Sequence, residues 1–268
     1  MGRNTENKKV VWITGASSGL GRELAYEYAN SNYFLILSGR NISNLEQTAM
    51  ICIEKGADTF IVPFDIGKKN EVKGALEKVT SEIGKVDILI NNSGIGQRSL
   101  AIETKSEVED DIFNTNYWGH VWLTKGVVPM MMKSQYRQII LISSMSGLFG
   151  FPLRSTYTAS KHAINGYFET LAIELKSQNI HITIVCPGRL QNDFSQHALK
   201  QDGTFYGKTD KAHLRAYPLK KVAKKIKKAA DSHRFMLVIG GKEKILWYIK
   251  RISPTLFFKL ACKLNPEN

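Results

Sequence analysis

Tyr157 and Lys161 stand four residues apart in "STYTASK" (155–161). On a helix that spacing puts a phenol and an ammonium on one face. Such a pair could move a proton to or from an oxygen on a substrate carbon. To act near neutral pH the phenol must titrate well below its ordinary ~10, and a shift of about three units needs roughly 4 kcal/mol of preferential stabilisation of the phenolate. The Lys161 ammonium in a water-poor cleft is a physically sensible source. Spacing alone does not select this pair, because Tyr217 and Lys221 in "YPLKK" repeat it. Position does. Tyr157 follows an apolar run ending in "LISSMSG" (141–147), where Ser143 and Ser144 offer hydroxyls to the same oxygen, and it opens the long pattern "HAINGYFETLAIEL". Tyr217 precedes Pro218, has no serine-ended strand before it and heads a lysine-rich helix. It reads as a surface residue.

The elements that must hold these residues alternate from Lys9 to about Ile239. Segments 10–14, 33–38, 59–64, 86–91, 138–143, 181–186 and 235–240 are short, β-rich and apolar nearly throughout, as strands buried on both faces should be. Helical patterns lie between them at 19–30, 42–55, 69–83, about 105–132, 156–178 and 219–231. This alternation predicts an α/β fold: one doubly wound, Rossmann-type parallel sheet of about seven strands with helices on both faces. In such a sheet ligands bind at the carboxyl ends of the strands, which is where Ser144 and Tyr157 fall. Residues 1–241 are expected to form one catalytic domain. Residues 242–268, two amphipathic segments broken by Pro254, form a helical extension rather than a second domain.

The first strand runs directly into "TGASSGLG" (14–21), followed by the helical "RELAYEYA". Glycines at 15, 19 and 21 allow a tight turn and close approach of a pyrophosphate to the backbone, and the helix start supplies N–H groups and a positive dipole end. Ser17, Ser18 and Leu20 belong to the same turn. The second strand ends in "LSGRN", with Arg40 where an NAD-specific domain usually carries a carboxylate for the ribose 2′-hydroxyl. A guanidinium can fork two hydrogen bonds to a 2′-phosphate. The expected cofactor is NADP(H), with NAD as the lesser alternative.

The Gly-x-x-x-Gly-x-Gly spacing in this place resembles the short-chain dehydrogenase/reductase (SDR) family. The resemblance spans about residues 8–240, with four motifs in order. It implies that Asp65 and Ile66 in "FDI" lie at adenine, and that Asn92, Ser93 and Gly94 in "NNSG" border the adenosine ribose; Ser93 replaces the usual alanine. It implies Tyr157 as acid/base, Ser144 polarising the carbonyl, Lys161 holding the nicotinamide ribose and lowering the tyrosine pKa, and Asn116 in "NTNYWG" positioning a water between Lys161 and solvent. Pro187 and Gly188 in "CPG" would contact the nicotinamide end. Asn192 stands where the family commonly has a threonine, a departure that alters how the carboxamide is anchored.

Met145, Phe149, Phe151 and Phe194, with segment 195–217 as a lid, predict a bulky apolar pocket for a lipophilic ketone, aldehyde or alcohol. A 3-oxoacyl-thioester reductase and a non-catalytic NADP-binding sensor or scaffold are the competing readings. The net charge of +13 is concentrated in 219–228 and after 242. In the tail, Trp247, Tyr248, Ile249, Ile252, Leu256, Phe257, Phe258 and Leu260 alternate with Lys244, Lys250, Arg251, Lys259 and Lys263, a composition suited to a membrane interface. This tail resembles those of SDR members close to 11β-hydroxysteroid dehydrogenase. An oligomer contact or packing back onto the domain are the alternatives, and a homo-oligomer, dimer or tetramer, is expected. No recognition module for nucleic acid appears, and no metal site is expected. Three scattered cysteines, the lack of an apolar signal core or myristoylation pattern in "MGRNTENKK", and the absence of a ~20-residue apolar run predict a cytoplasmic protein, at most peripheral to a membrane and without an N-terminal anchor.

Overall fold

The computed structural model describes residues 5, 7–208, 216–241 and 243–263. Each apolar run becomes a strand: β1 (Lys9–Thr14), β2 (Tyr33–Ser38), β3 (Asp58–Ile61), β4 (Ile88–Asn91), β5 (Gln138–Ile142), β6 (His181–Pro187) and β7 (Met236–Ile239). All pair in parallel, in the order β3-β2-β1-β4-β5-β6-β7. Trp12 of β1 lies opposite Ile36 on one side and Leu89 on the other. Successive residues face opposite ways. Val10 and Trp12 join a core with α3 (Lys69–Glu82), α5 (Gly119–Met131) and α6 (Ser155–Glu174). Val11 and Ile13 join one with α1 (Gly19–Tyr28), α2 (Ile42–Glu54) and α7 (Leu219–Asp231). Burial on both faces explains why the strands read as continuous apolar runs. From β1 the chain winds outward to β3, then returns to place β4 on the other side of β1. That reversal opens a crevice above Thr14 and Asn91.

The helix expected to reach 178 ends at Glu174, followed by a 3-10 turn over Lys176–Gln178, and two further departures lie nearer the ligand edge. β3 ends at Ile61 rather than 64, although Val62 and Phe64 still donate to Leu37 and Gly39; the intervening Pro63 is tolerated because its N faces the open side of this edge strand. The helix expected over 105–132 is three pieces: α4 (Ser106–Phe113), a wide π turn over Asn114–Trp118, and α5. Asn116 lies inside the turn, its side chain bound to another segment, and this draws the backbone inward. Gly119 closes the turn against the Ile66 carbonyl, where any Cβ would collide.

The tail forms α8 (Glu243–Ile252) and α9 (Pro254–Ala261), broken at Pro254. It packs on the domain. Lys250 Nζ donates to the Leu148 carbonyl at 2.8 Å, and the Phe257 ring lies 5.6 Å from that of Phe149. Ile245, Tyr248, Ile252, Leu256 and Phe258 remain exposed. Lys242 and residues 264–268 of the tail, and residues 209–215 of the expected lid, lie outside the described residues. No helix among the described residues is long and apolar enough to cross a membrane.

Candidate active site

The crevice is fastened first by backbone. Thr14 Oγ1 accepts the N–H groups of Asn92 and Ser93 at 2.9 and 3.1 Å, tying the loop after β4 to the end of β1. The Asn92 amide donates back to the Thr14 carbonyl at 2.9 Å. Gly15 turns the chain at φ +66°, and Gly21 sits so close to the Gly15 carbonyl that a side chain there would collide with it. At the start of α1, Ser18 is extended and its side chain makes no capping bond, so the first-turn N–H groups are not taken up by it. Ser17 Oγ lies against Gly39, next to Arg40, whose largely exposed guanidinium is 3.9 Å from the Asp65 carboxylate. Ile66 is buried beside them. Gly94 sits between the Asn116 amide oxygen and the Lys161 ammonium. Pro187 ends β6, and Gly188 donates to the Ile239 carbonyl at 2.6 Å. A glycine-lined turn at a helix start, a half-open strand edge and a cation beyond it fit a nicotinamide dinucleotide.

The side chains that could do chemistry converge at the ends of β5 and α6. Ser144 is half-buried, accepts the Ser146 N–H at 3.1 Å and shares a hydrogen bond with the Tyr157 phenol. Ser143, the other hydroxyl at this strand end, is buried beside Gly147 and Cys186. Lys161 is 3% exposed; its Nζ donates to the Ile142 carbonyl at 3.1 Å and lies 6.0 Å from the centre of the Tyr157 ring. Asn116 accepts the Ile95 N–H at 2.9 Å and donates to the Ile95 carbonyl at 2.9 Å and to Ser160 Oγ at 3.2 Å. All four expected catalytic residues therefore occupy one neighbourhood.

Burial dominates the electrostatics of these side chains. Burial, the largest influence, holds the Tyr157 phenol above its ordinary value; the Ser144 hydrogen bond and the charges of Arg154 and Arg98 act the other way. The Lys161 ammonium is turned to the Ile142 carbonyl. Burial pushes Lys161 itself down to about 8. Unexpected from sequence is His120, fully buried on α5, with Nε2 2.8 Å from the Ser93 carbonyl and Nδ1 3.2 Å from the Asn91 side chain. Burial, reinforced by Lys161, holds it down to about 3, so it is a neutral prop under the Ser93 loop. Nothing in "YWGHVW" marks it, since its partners lie 27 and 29 residues away.

Of the four residues expected in the substrate pocket, Phe194 comes directly against Tyr157, with ring centres 6.0 Å apart. Met145 is buried with its sulfur against Gly188 and Gly240. Phe149 is fully buried between Phe151, 5.2 Å away, and Phe257. It forms the backing of the wall, with Phe151 half-buried in front. Asn192 Oδ1 accepts the Phe194 N–H at 3.3 Å, so the residue at the unusual position shapes the segment bearing Phe194. Tyr217 and Lys221 lie apart from all of this, on the rim of a shallow surface cavity with Pro218 and Lys225. Among the described residues no cluster of side chains could hold a metal ion.

Crevice, glycine turn and the serine–tyrosine–lysine–asparagine group define a dinucleotide-dependent oxidoreductase. The chain belongs to the short chain dehydrogenase family, whose model matches residues 9–203. It is 36% identical over 266 residues to the dehydrogenase/reductase SDR family member 7B of Xenopus tropicalis, covering 96% of this chain and 86% of that protein. It is 38% identical over 200 residues to the family member 7 of Homo sapiens, covering 73% of this chain and 59% of the relative. In three dimensions it is similar to a short chain dehydrogenase/reductase from Burkholderia phymatum, solved in complex with NAD. That match has a TM-score of 0.82 at 22% identity and covers 95% of this chain and 96% of the other.

Proposed function

We propose that the protein is an NADP(H)-dependent oxidoreductase that interconverts a lipophilic ketone or aldehyde with its alcohol. The observation that carries this reading is the hydrogen-bonded pair of Ser144 and Tyr157 hydroxyls at the ligand edge of the sheet, with apolar Phe194 against the phenol. A bound nicotinamide supplies or accepts the hydride. Tyr157 carries the proton at its phenol oxygen, giving it to the substrate oxygen in reduction and taking it in oxidation. Ser144 donates a hydrogen bond to that oxygen as its charge develops. A cationic ring beside the phenol would counter the burial that holds Tyr157 high. Lys161 and Asn116, on either side of Gly94, would hold the ribose and position a water toward solvent.

Preference for NADP(H) rests on Arg40, exposed and only loosely paired, with Ser17 Oγ alongside as a second donor to a 2′-phosphate. The test is a panel of steroid, retinoid, acyl and aromatic carbonyls, with 3-oxoacyl thioesters included, each assayed with NADPH and NADH. Turnover of a lipophilic ketone or aldehyde with NADPH preferred is the expected result. Arg40→Asp should move the preference toward NADH by about 10- to 100-fold. Tight NADPH binding without turnover of any compound would leave the sensor reading instead.

The exposed apolar side of α8 and α9, flanked by Lys244, Arg251, Lys259 and Lys263, supports peripheral attachment to an anionic bilayer. Flotation with anionic liposomes should be lost without residues 242–268. Self-association is supported by the exposed Trp118, stacked on Trp122, and by Ile173. The three cysteines are unpaired, which supports a reducing, cytoplasmic setting.

A further inference from the structure

The N-terminus of α6 bears Tyr157, yet its own N-cap residue, Arg154, gives no side-chain capping bond. Two first-turn donors, the N–H groups of Thr156 and Tyr157, are accepted instead by one atom far away in sequence. That atom is Gln97 Oε1, at 2.8 and 3.1 Å. Gln97 follows β4 in "GIGQRS" and is completely buried. The orientation of its amide is fixed by chemistry, because Nε2 faces the hydroxyls of Ser99, Thr104 and Ser155 at 3.2, 3.1 and 3.2 Å. A flipped amide would set NH2 against two N–H donors. The backbone around Gln97 reaches a third element. Leu199 donates to Gly96 O at 2.9 Å, and Arg98 donates to Leu199 O at 2.8 Å, five residues beyond Phe194.

We infer that Gln97 is a positioning residue for Tyr157, a neutral cap supplied by a distant segment of the same chain that sets the height of the catalytic helix and registers it with the segment carrying Phe194. Helix caps are more often Asp, Asn, Ser or Thr. A carboxylate at this point would stabilise the helix dipole, but it would also place negative charge at the start of the helix that carries a phenol that must ionise. An amide provides the acceptor without the charge. Besides Lys161 on its own helix, the charged or titratable groups around Tyr157 are Arg154 before α6, Arg98 after β4 and Cys186 on β6. Glu109 of α4 accepts from the Thr156 hydroxyl rather than from Tyr157.

The inference rests on the oxidoreductase reading and is tested on the full chain with the substrate found in the panel. Gln97→Ala should lower kcat about 10- to 100-fold, the scale of a small misplacement of a reacting group, with the KM for NADPH changed less than about threefold. Gln97→Glu keeps the acceptor. It should recover most of kcat at high pH while moving the limb of alcohol oxidation upward by about one pH unit. A cap with only a structural role would lower the melting temperature and leave that limb in place. Wild-type kcat in both variants, or an unmoved limb in Gln97→Glu, overturns the inference while the reaction stands. No turnover by the wild-type chain on any substrate overturns both together.

Discussion

The starts of α6 and α7 carry the same tyrosine-to-lysine spacing and share almost nothing else. Tyr157 and Lys161 are 8% and 3% exposed, inside the helix, with Ser144 and Phe194 against the ring. Tyr217 precedes α7, separated from it by Pro218, and is half-buried; Lys221 is exposed. The Tyr217 ring carries Lys225 at 5.7 Å and its peptide pairs with Leu190, contacts that shape a surface rather than a reaction. The difference is one of surroundings. Desolvation makes a phenol and an ammonium respond to single neighbours, whereas solvent at α7 levels such effects.

The comparison breaks most sharply at the phenols. Tyr157→Phe should lower kcat by about a thousandfold or more with NADPH affinity retained, while Tyr217→Phe stays within about twofold; steady-state kinetics with cofactor titration decides. Comparable losses would erase the distinction. A smaller effect is expected from Ser144→Ala, about 100-fold in kcat, because one hydrogen bond to the developing charge is removed while the proton carrier remains.

The smallest effect sharpens the contrast between the lysines. The Lys161 value of about 8 lies below that of the unfolded chain, ~10.5. Below pH 8 both states are protonated, so burial of the charge opposes folding in full; between 8 and 10.5 the unfolded state binds more protons and stability rises with pH. Removing the charge therefore relieves about 3 kcal/mol near neutral pH, offset by about 1–2 kcal/mol for leaving Ile142 O without its donor. Lys161→Met should be inactive yet melt several degrees higher at pH 7, with the gain fading between pH 8 and 10.5. Lys221→Met should change stability by less than about 0.5 kcal/mol at any pH. Melting curves across pH test both.

The sheet was legible because each strand buries both faces and so spells itself as an apolar run; β2 and α7 fall at their expected limits. The cradle was legible for a related reason, since glycines between a strand and a helix have few other uses. The break in the helix over 105–132 was hidden, because Asn116 looks like any polar helical residue until Ile95 lies beside it. Gln97 and His120 were hidden likewise, their partners being set by topology rather than by spacing. The direction in which the Lys161 ammonium turns was hidden too, since spacing sets which residues share a face but not where a side chain ends.

Anything attached to the C-terminal helices is mechanically close to the chemistry. Lys250 grips Leu148 and Phe257 leans on Phe149. Along the chain these are the fourth and fifth residues after Ser144. A bilayer, a partner or a purification tag that tugs on α8 and α9 therefore pulls, by a short lever, on the loop that follows Ser144.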